Sequence, residues 1–265
     1  MFETMEIGFG RLALGYLLLL IPLAILLHQR VPILRDTGLA VIRMTAQLLL
    51  VGFYLQVVFR LNHPGVNLAW LLIMVIVADG SIMRGCGLRA RTFALPVFLA
   101  VLVGTLIPLF VFIGVILNHS NLVEAHFLIP IGGMILGNCL RADIVGLRDF
   151  YDSVIRHEKA YHQSLAEGAS RAEALHPYLR DAIRSALLPT VATMATVGLV
   201  FLPGMMTGVI LGGADPMTAI KYQIAIMITI FTGTALTVYL ALLWSIRGSF
   251  DAYGLLDRAR VRPPG

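Results

Sequence analysis

The chain has 265 residues, of which 58% are hydrophobic and only 13% are charged. A soluble domain carries about 25% charged residues, so this composition excludes a water-soluble globular protein and indicates an all-α integral membrane protein. The net charge of +5 does not favour nucleic-acid binding, because the arginines are spread over short connections between apolar stretches, as expected for topology signals.

The apolar stretches predict about seven transmembrane helices, since each crossing needs about 20 mostly apolar residues. The first stretch follows Glu3 and Glu6, whereas a secretory signal would start with positive charge and end at a small-residue cleavage site. We therefore expect a first span that is retained. The predicted spans are 8–28, 38–60, 66–83, 92–117, 128–147, 187–213 and 217–246.

Basic and non-basic connections alternate along the chain. Arginines occur in 28–37, 84–91, 148–186 and the C-terminal tail, which includes Arg258, Arg260 and Arg262. The connections 61–65, 118–127 and 214–216 contain neither lysine nor arginine. The positive-inside rule then predicts an outer N-terminus and a cytoplasmic C-terminus. The stretch 187–213 is the uncertain member of the count, because it is either one broken helix or a re-entrant hairpin.

Several polar residues fall within the predicted spans. Arg43 and Gln47 lie four residues apart, on one face of the second span. The arginine either snorkels or pairs structurally, or it lines a substrate pathway. Further polar residues lie near the cytoplasmic ends of later spans: Asp79, Asn138, Arg141 and Asp143. For the two carboxylates we favour an ion pair with a loop arginine over binding of a cation.

The large connection, residues 152–186, is polar but has the signals of ordered helices. Ser170 and Glu173 form a predicted capping box, and Gly168 is placed to end the preceding helix in a left-handed conformation. Pro177 suits the first turn of a further helix. We therefore expect a helix, a sharp turn, a short helix, a second turn and a further helix, which together stand off the membrane on the cytoplasmic side. This insertion is either a solvated link or a docking element for a cytoplasmic partner.

The stretch 187–213 is apolar but interrupted. Pro189 and Pro203 are expected to break its helix, and its threonines, Thr193 among them, to satisfy freed carbonyls or line a pathway. Small residues at fourfold spacing predict close helix packing in lipid: Gly204, Gly208 and Gly212, with Gly133 and Gly137 in the fifth span. Met205 and Met206 fill the core or, less favoured, bind a soft metal. The pattern predicts a movable element beside a translocation route.

Two absences limit the chemistry of the chain. Its two lysines, Lys159 and Lys221, do not lie in a phosphate-binding loop. If ATP drives this protein, a separate chain therefore hydrolyses it. Cys86 and Cys139 lack the spacing of a thiolate metal site and are expected to be small apolar fillers.

Five stretches resemble the FetB family, the permease subunits of an ABC transporter for iron export. They are IPIGGMILGN (129–138), EGAS (167–170), RDAIRSALLPTV (180–191), TVGLVFLPGMMTGVILGGADP (196–216) and AIKYQI (219–224). The resemblance implies a single permease domain over residues 1–265, located in the cell inner (plasma) membrane. It implies a homodimer that binds two copies of a cytoplasmic P-loop ATPase, which holds ATP and Mg while the permease chain holds no cofactor. It also implies iron export and resistance to oxidative stress.

The resemblance also gives roles to particular residues. The GAS sequence resembles the glycine turn in the coupling loop of ABC importer permeases, which implies contact with the ATPase. About twenty residues separate this turn from Leu188 and Pro189, more than in the importer loop. The implied coupling residues are Glu167, Gly168, Ala169, Ser170, Glu173, Arg180 and Arg184. The expected pathway or hinge residues are Arg43, Gln47, Asn138, Pro189, Thr193, Pro203, Met205 and Met206, and no metal ligands are assigned.

Other functions remain open at this point. A stand-alone channel or an ion-coupled secondary transporter would work without an ATPase, but the buried acidic relay or inverted repeat expected of one is not visible in the sequence. A membrane scaffold would explain the insertion but not the broken span. An importer-type ABC permease would need an extracytoplasmic binding protein, and the predicted outer loops are short. The substrate stays open between iron, another metal and a small organic solute.

Overall fold

The computed structural model describes residues 8–251, 253–257 and 261, and this part of the chain is almost entirely helical. The described residues form no β-strand, only isolated bridges. The expected all-α class is confirmed. Glu3, Glu6, Arg258, Arg260 and Arg262 lie outside the described residues. The α-helices are α1 (Phe9–Tyr16), α2 (Leu20–His28), α3 (Leu34–Leu61), α4 (Pro64–Cys86), α5 (Ala90–Val111), α6 (Ala125–Arg156), α7 (Glu158–Ala166), α8 (Arg171–Thr196), α9 (Gly204–Leu211) and α10 (Pro216–Ser249).

Six helical segments within the described ranges are long and apolar enough to cross a membrane. The chain is thus a multi-pass membrane protein. The stretch 187–213 is not a single helix of this kind, so the count of seven and the orientation stay predictions. The six segments are Gly10–His28, Leu34–Leu61, Pro64–Cys86, Ala90–Ile116, Ala125–Arg156 and Pro216–Ser249.

The two N-terminal spans extend away from the other helices. None of the residues in their most apolar windows is buried. Contact with the bundle comes near the end of α3, where Val58 packs with Ala125 and Ile129. Asn62 ends α3 with a left-handed backbone (φ 39°), and its side-chain oxygen accepts a hydrogen bond from the Ala125 N–H at 3.0 Å. This bond joins the end of α3 to the start of α6, while most of the apolar surface of α1–α3 stays open to lipid or to another chain.

The core of the bundle depends on a close approach between α5 and α10. A Cβ atom on Gly104 would lie only 2.9 Å from the backbone nitrogen of Thr237, and one on Gly233 would lie 3.1 Å from the carbonyl oxygen of Gly104. Small residues allow helices in lipid to approach to backbone contact. The sequence analysis did not identify this pair, because Gly104 and Gly233 lie on different helices and belong to no fourfold row.

The turn in the 152–186 insertion forms as predicted. Gly168 adopts φ +97° between α7 and α8. The Ser170 hydroxyl accepts a hydrogen bond from the Glu173 N–H, and the Glu173 carboxylate accepts one from the Ser170 N–H at 2.8 Å. The predicted capping box is confirmed.

The predicted helix boundaries at the two prolines are wrong. Pro177 and Pro189 both lie inside α8, which continues from Arg171 to Thr196. Each proline removes one backbone donor, but the remaining bonds of a long helix keep it continuous, as in many kinked helices. The insertion therefore has no third helix of its own, because its last helix is the start of α8.

The insertion packs against the C-terminal segment of the same chain. The hydroxyl of Tyr161 in α7 donates a hydrogen bond to the Gly254 carbonyl at 2.6 Å, and its ring lies edge-on to Phe250 with centroids 5.9 Å apart. Tyr161, Leu175 and Phe250 are all buried in one apolar cluster with the helices of the bundle. The insertion is therefore ordered by internal contacts, and its order alone does not require a partner protein.

The break in the apolar stretch 187–213 begins after Thr196. Gly198 takes φ +86°, and the Gly198 N–H donates a hydrogen bond to the Phe201 carbonyl. Pro203 precedes the eight-residue helix α9, and Asp215 caps α10 through the Thr218 N–H at 3.0 Å. The stretch is thus the end of one helix, an irregular segment and a short helix.

Replacement of Gly104 by alanine should destabilise the bundle, because the added methyl group would contact the backbone of α10. Overpacking of this kind costs about 1–3 kcal/mol. Gly80→Ala in α4 is the matched control, since a Cβ there meets nothing within 4 Å. Thermal unfolding of the purified variants in detergent measures both, and equal melting temperatures would contradict the close approach.

The capping box should weaken in acid. Hydrogen bonds from the Ser170 hydroxyl and N–H lower the pKa of Glu173 from its ordinary value of 4.5. Because the folded-state pKa is the lower one, the ionised carboxylate stabilises the turn above pH 4.5, and this contribution is lost as the pH falls through the folded-state pKa.

Amide hydrogen exchange, corrected for its intrinsic pH dependence, tests this expectation. Protection of the first turn of α8 should decrease below pH 4.5 in the wild type and stay constant in Glu173→Gln, whose amide is uncharged. Equal pH dependence in the two proteins would show that another group is responsible.

Candidate functional site

A cavity of about 780 Å³ lies between α6, α8, α10 and the irregular segment before α9. Its wall combines polar groups with apolar side chains, as is usual in binding sites for small molecules. The polar lining residues are Asn138, Arg141, Thr190, Thr193 and Gln223, and the larger apolar ones are Met134, Ile144, Val145, Phe201, Met205, Ile226, Met227 and Ile230. Pro189, Pro203 and Gly204 also line it, so the break in the apolar stretch forms one side of the cavity.

The structure brings together most of the predicted pathway or hinge residues. Asn138, Pro189, Thr193, Pro203 and Met205 come from three parts of the sequence and line this one cavity. Their role in transport stays a prediction.

The other predicted pathway residues lie elsewhere. Met206, next to Met205, is buried, with 8% of its surface exposed, and does not line the cavity. Arg43 and Gln47 line a separate groove of about 570 Å³ that runs along α3. The spacing of four residues placed them correctly on one helix face, but sequence spacing does not show which other helix that face meets.

The threonines act partly as predicted. The hydroxyls of Thr193 and Thr196 donate hydrogen bonds to the carbonyls of Pro189 and Ala192, both at 2.9 Å. These carbonyls belong to the preceding turn, a common arrangement for threonine in a helix, and not to the position freed by Pro189. Thr193 also lines the cavity with Thr190.

The predicted packing glycines differ in their surroundings. A Cβ on Gly133 would lie 3.2 Å from the terminal methyl of Met74 in α4, whereas one on Gly137, Gly204 or Gly208 would meet nothing within 4 Å. Gly212 follows the last residue of α9. The row on α9 therefore packs against no other helix in the described part of this chain, and its packing against a second chain stays a prediction.

Five of the predicted coupling residues lie at the turn between α7 and α8, whereas Arg180 and Arg184 lie further along α8. All but the half-buried Ala169 are exposed, and they are Glu167, Gly168, Ser170, Glu173, Arg180 and Arg184. Arg180 pairs with its neighbour Asp181 at 3.3 Å, an exposed ion pair that adds little stability. The surface is accessible to a partner.

The two membrane carboxylates do not form the ion pairs that we favoured. Asp143 is fully buried, and neither of its carboxyl oxygens has a hydrogen-bond partner among the described residues. The Thr237 hydroxyl is a neighbouring group, but it donates to the Thr234 carbonyl instead. Asp79 likewise keeps one buried oxygen without a partner, and neither residue takes part in the ion pairs of the described chain.

The described residues contain no group of three or more histidine, cysteine, aspartate or glutamate side chains placed to hold a metal ion.

Gln223 lines the cavity but was not predicted from the sequence. An amide side chain between apolar residues in the last span is the sequence signal that could have identified it. Its position in the cavity depends on how α10 packs against α6 and α8.

Residues 9–250 match the family described as "Uncharacterised protein family (UPF0014)". The chain belongs to this family. It is 32% identical to the "Probable iron export permease protein FetB" of Escherichia coli (strain K12) over 91% of this chain and 92% of that protein. The resemblance stated from the sequence is therefore confirmed.

Two further relatives come from distant organisms. The chain is 31% identical to the "UPF0014 membrane protein YjkA" of Bacillus subtilis (strain 168), over 85% of this chain and 89% of that protein. It is 34% identical to "Protein ALUMINUM SENSITIVE 3" of Arabidopsis thaliana, over 71% and 67% respectively. No solved structure matches the chain significantly. A membrane permease is the class of function that these similarities support.

Cysteine labelling tests whether the cavity holds water. In a background with Cys86→Ala and Cys139→Ala, we expect Thr193→Cys to react with an anionic, membrane-impermeant methanethiosulfonate on the order of tenfold faster than Thr232→Cys, because the reactive thiolate forms in water and not in lipid. Thr232 is a matched control, since it bonds to the carbonyl one turn earlier as Thr193 does but lies outside the cavity lining. Equal rates would show that the cavity is closed to water.

Proposed function

We propose that the chain is the permease subunit of an ABC transporter in the cell inner membrane, which exports a metal, iron being the first candidate, using ATP hydrolysed by a separate subunit. The proposal rests on one observation above all. The helix α8 begins at the exposed turn around Gly168 and also carries Thr190 and Thr193, which line the cavity.

The length of α8 makes it a direct mechanical link. From Ser170 to Thr193 the helix rises about 35 Å, at about 1.5 Å per residue. A force applied by an ATPase at the turn would move the cavity wall without passing through a flexible loop. Pro177 and Pro189 each remove one backbone hydrogen bond from the helix, which gives it two points at which to bend.

The irregular segment after α8 supports a change of shape at the cavity. In this segment, Leu199 and Val200 are 91% and 77% exposed. The short helix α9 has an irregular connection on each side, so it can shift relative to α10 more readily than a continuous span could. Closing of the ATPases would then push α8 and reshape the cavity wall formed by Phe201, Pro203 and Met205.

Two further features support partner subunits. The sequence lacks a phosphate-binding loop, so the proposed complex contains a P-loop ATPase that binds ATP and Mg. The exposed apolar surface of α3 and α9 leaves room for a second copy of this chain, and we propose a homodimer with the α9 glycines near its contact. Iron is proposed as the cargo because the Escherichia coli relative is named a probable iron export permease.

Gly168→Leu should uncouple the complex. Gly168 has φ +97° in open space, so a leucine there strains the turn and alters the surface that the ATPase would contact. We expect the variant to reach the membrane in normal amounts, while stimulation of the copurified ATPase falls several-fold.

Gly87→Leu is the matched control, because Gly87 is also a left-handed glycine in open space (φ +68°), in the connection between α4 and α5. It carries the same backbone strain but lies outside the coupling surface, and should keep stimulation. Gentle detergent purification of the wild type should first recover a P-loop ATPase at about one copy per chain. A chain that purifies alone and gives flux without ATP would overturn the proposal and favour a channel.

A further inference from the structure

The cavity contains one kind of charge. Arg141 is the single charged side chain among its lining residues, and no carboxylate lines it. Asp143 is two positions further along α6 and fully buried on another side of the helix, since residues two apart do not share a helix face. The cavity is therefore electropositive.

The Arg141 side chain has hydrogen-bond donors that are not used within the described part of the chain. Its Nε–H donates to the Gly137 carbonyl at 3.2 Å, and no ion pair within the described ranges includes it. The two terminal nitrogens of the guanidinium group are thus free to meet a ligand. A planar guanidinium fits the oxygens of a carboxylate or a phosphate in pairs.

A second polar group in the cavity also lacks a partner. Gln223 lines the cavity and only 8% of its surface is exposed. Its side-chain amide has no hydrogen bond to the described residues and is not among their fully buried polar groups without a partner, so the amide stays accessible from the cavity. Gln223 on α10 and Arg141 on α6 therefore offer donors from two sides of the cavity.

We propose that this cavity binds an anionic solute, so that a metal cargo crosses as an anionic complex and not as a free cation. This inference rests on the proposed permease function and names the class of its substrate. An unpaired guanidinium in the cavity attracts an anion and repels a divalent cation. The methionines of the wall, Met134, Met205 and Met227, supply apolar contact; as thioethers they would otherwise suit monovalent copper, which the test includes.

Equilibrium dialysis with the purified full-length chain tests the inference without an ATPase. The probes are labelled citrate, ferric citrate and inorganic phosphate, with Fe²⁺ under anoxic conditions and Cu⁺ as cations. We expect saturable binding of at least one anionic probe. Its affinity should fall at least about tenfold in Arg141→Gln, which loses a charge-assisted hydrogen bond, and less in Arg141→Lys, which keeps the charge.

Arg148→Gln is the matched control. Arg148 lies on the same helix outside the cavity and pairs with Asp152 at 3.7 Å, so its loss should leave anion binding unchanged. Equal melting temperatures of the variants exclude unfolding as the cause. The inference is overturned if no anionic probe binds, if Arg141→Gln binds anions as the wild type does, or if Fe²⁺ or Cu⁺ alone binds tightly. Failure of the proposed permease function would instead appear as a chain that recovers no ATPase.

Discussion

Inside a membrane, no water is available to form hydrogen bonds with the N–H and C=O groups of the backbone. Where a helix is interrupted there, these groups must bond to other groups of the protein or lie beside a cavity. The stretch 187–213, which we predict to enter the membrane, is interrupted between Thr196 and Gly204. There the Gly198 N–H bonds to the Phe201 carbonyl and the Val200 N–H to the Thr196 carbonyl, while Phe201 and Pro203 line the cavity. The need to satisfy backbone hydrogen bonds thus explains why the break lies beside the cavity.

Helix α8 is continuous through both of its prolines. A proline inside a helix removes one hydrogen bond, whereas ending the helix would leave several backbone groups without partners at its terminus. Continuity then joins the exposed turn at Gly168 to Thr193 in the cavity wall. Internal contacts fix the insertion at the other end, where the Tyr161 hydroxyl bonds to the Gly254 carbonyl. The insertion is therefore ordered by contacts within the chain.

Charge is separated across α6 by helix geometry. Arg141 faces the cavity and Asp143 faces the packed interior, although only one residue lies between them. A pair of opposite charges in one site would cancel and accept neither a cation nor an anion strongly. Their separation leaves the cavity lining with a single positive group, on which the proposal of an anionic solute rests.

Features that depend on local chemistry could be predicted from the amino-acid sequence. The lengths of the apolar stretches predicted the membrane class, the Ser170 and Glu173 pair predicted the capping box, and Gly168 predicted the left-handed turn, because each depends on residues a few positions apart. Features that depend on distant residues follow from how the helices pack. Gly104 and Gly233 meet because α5 and α10 pack together, and Gln223 joins Asn138 and Thr193 because three helices surround one space. The prolines of α8 belong to this second group, since the balance between bending and breaking a helix is set by the bonds of the whole helix and not by the proline alone.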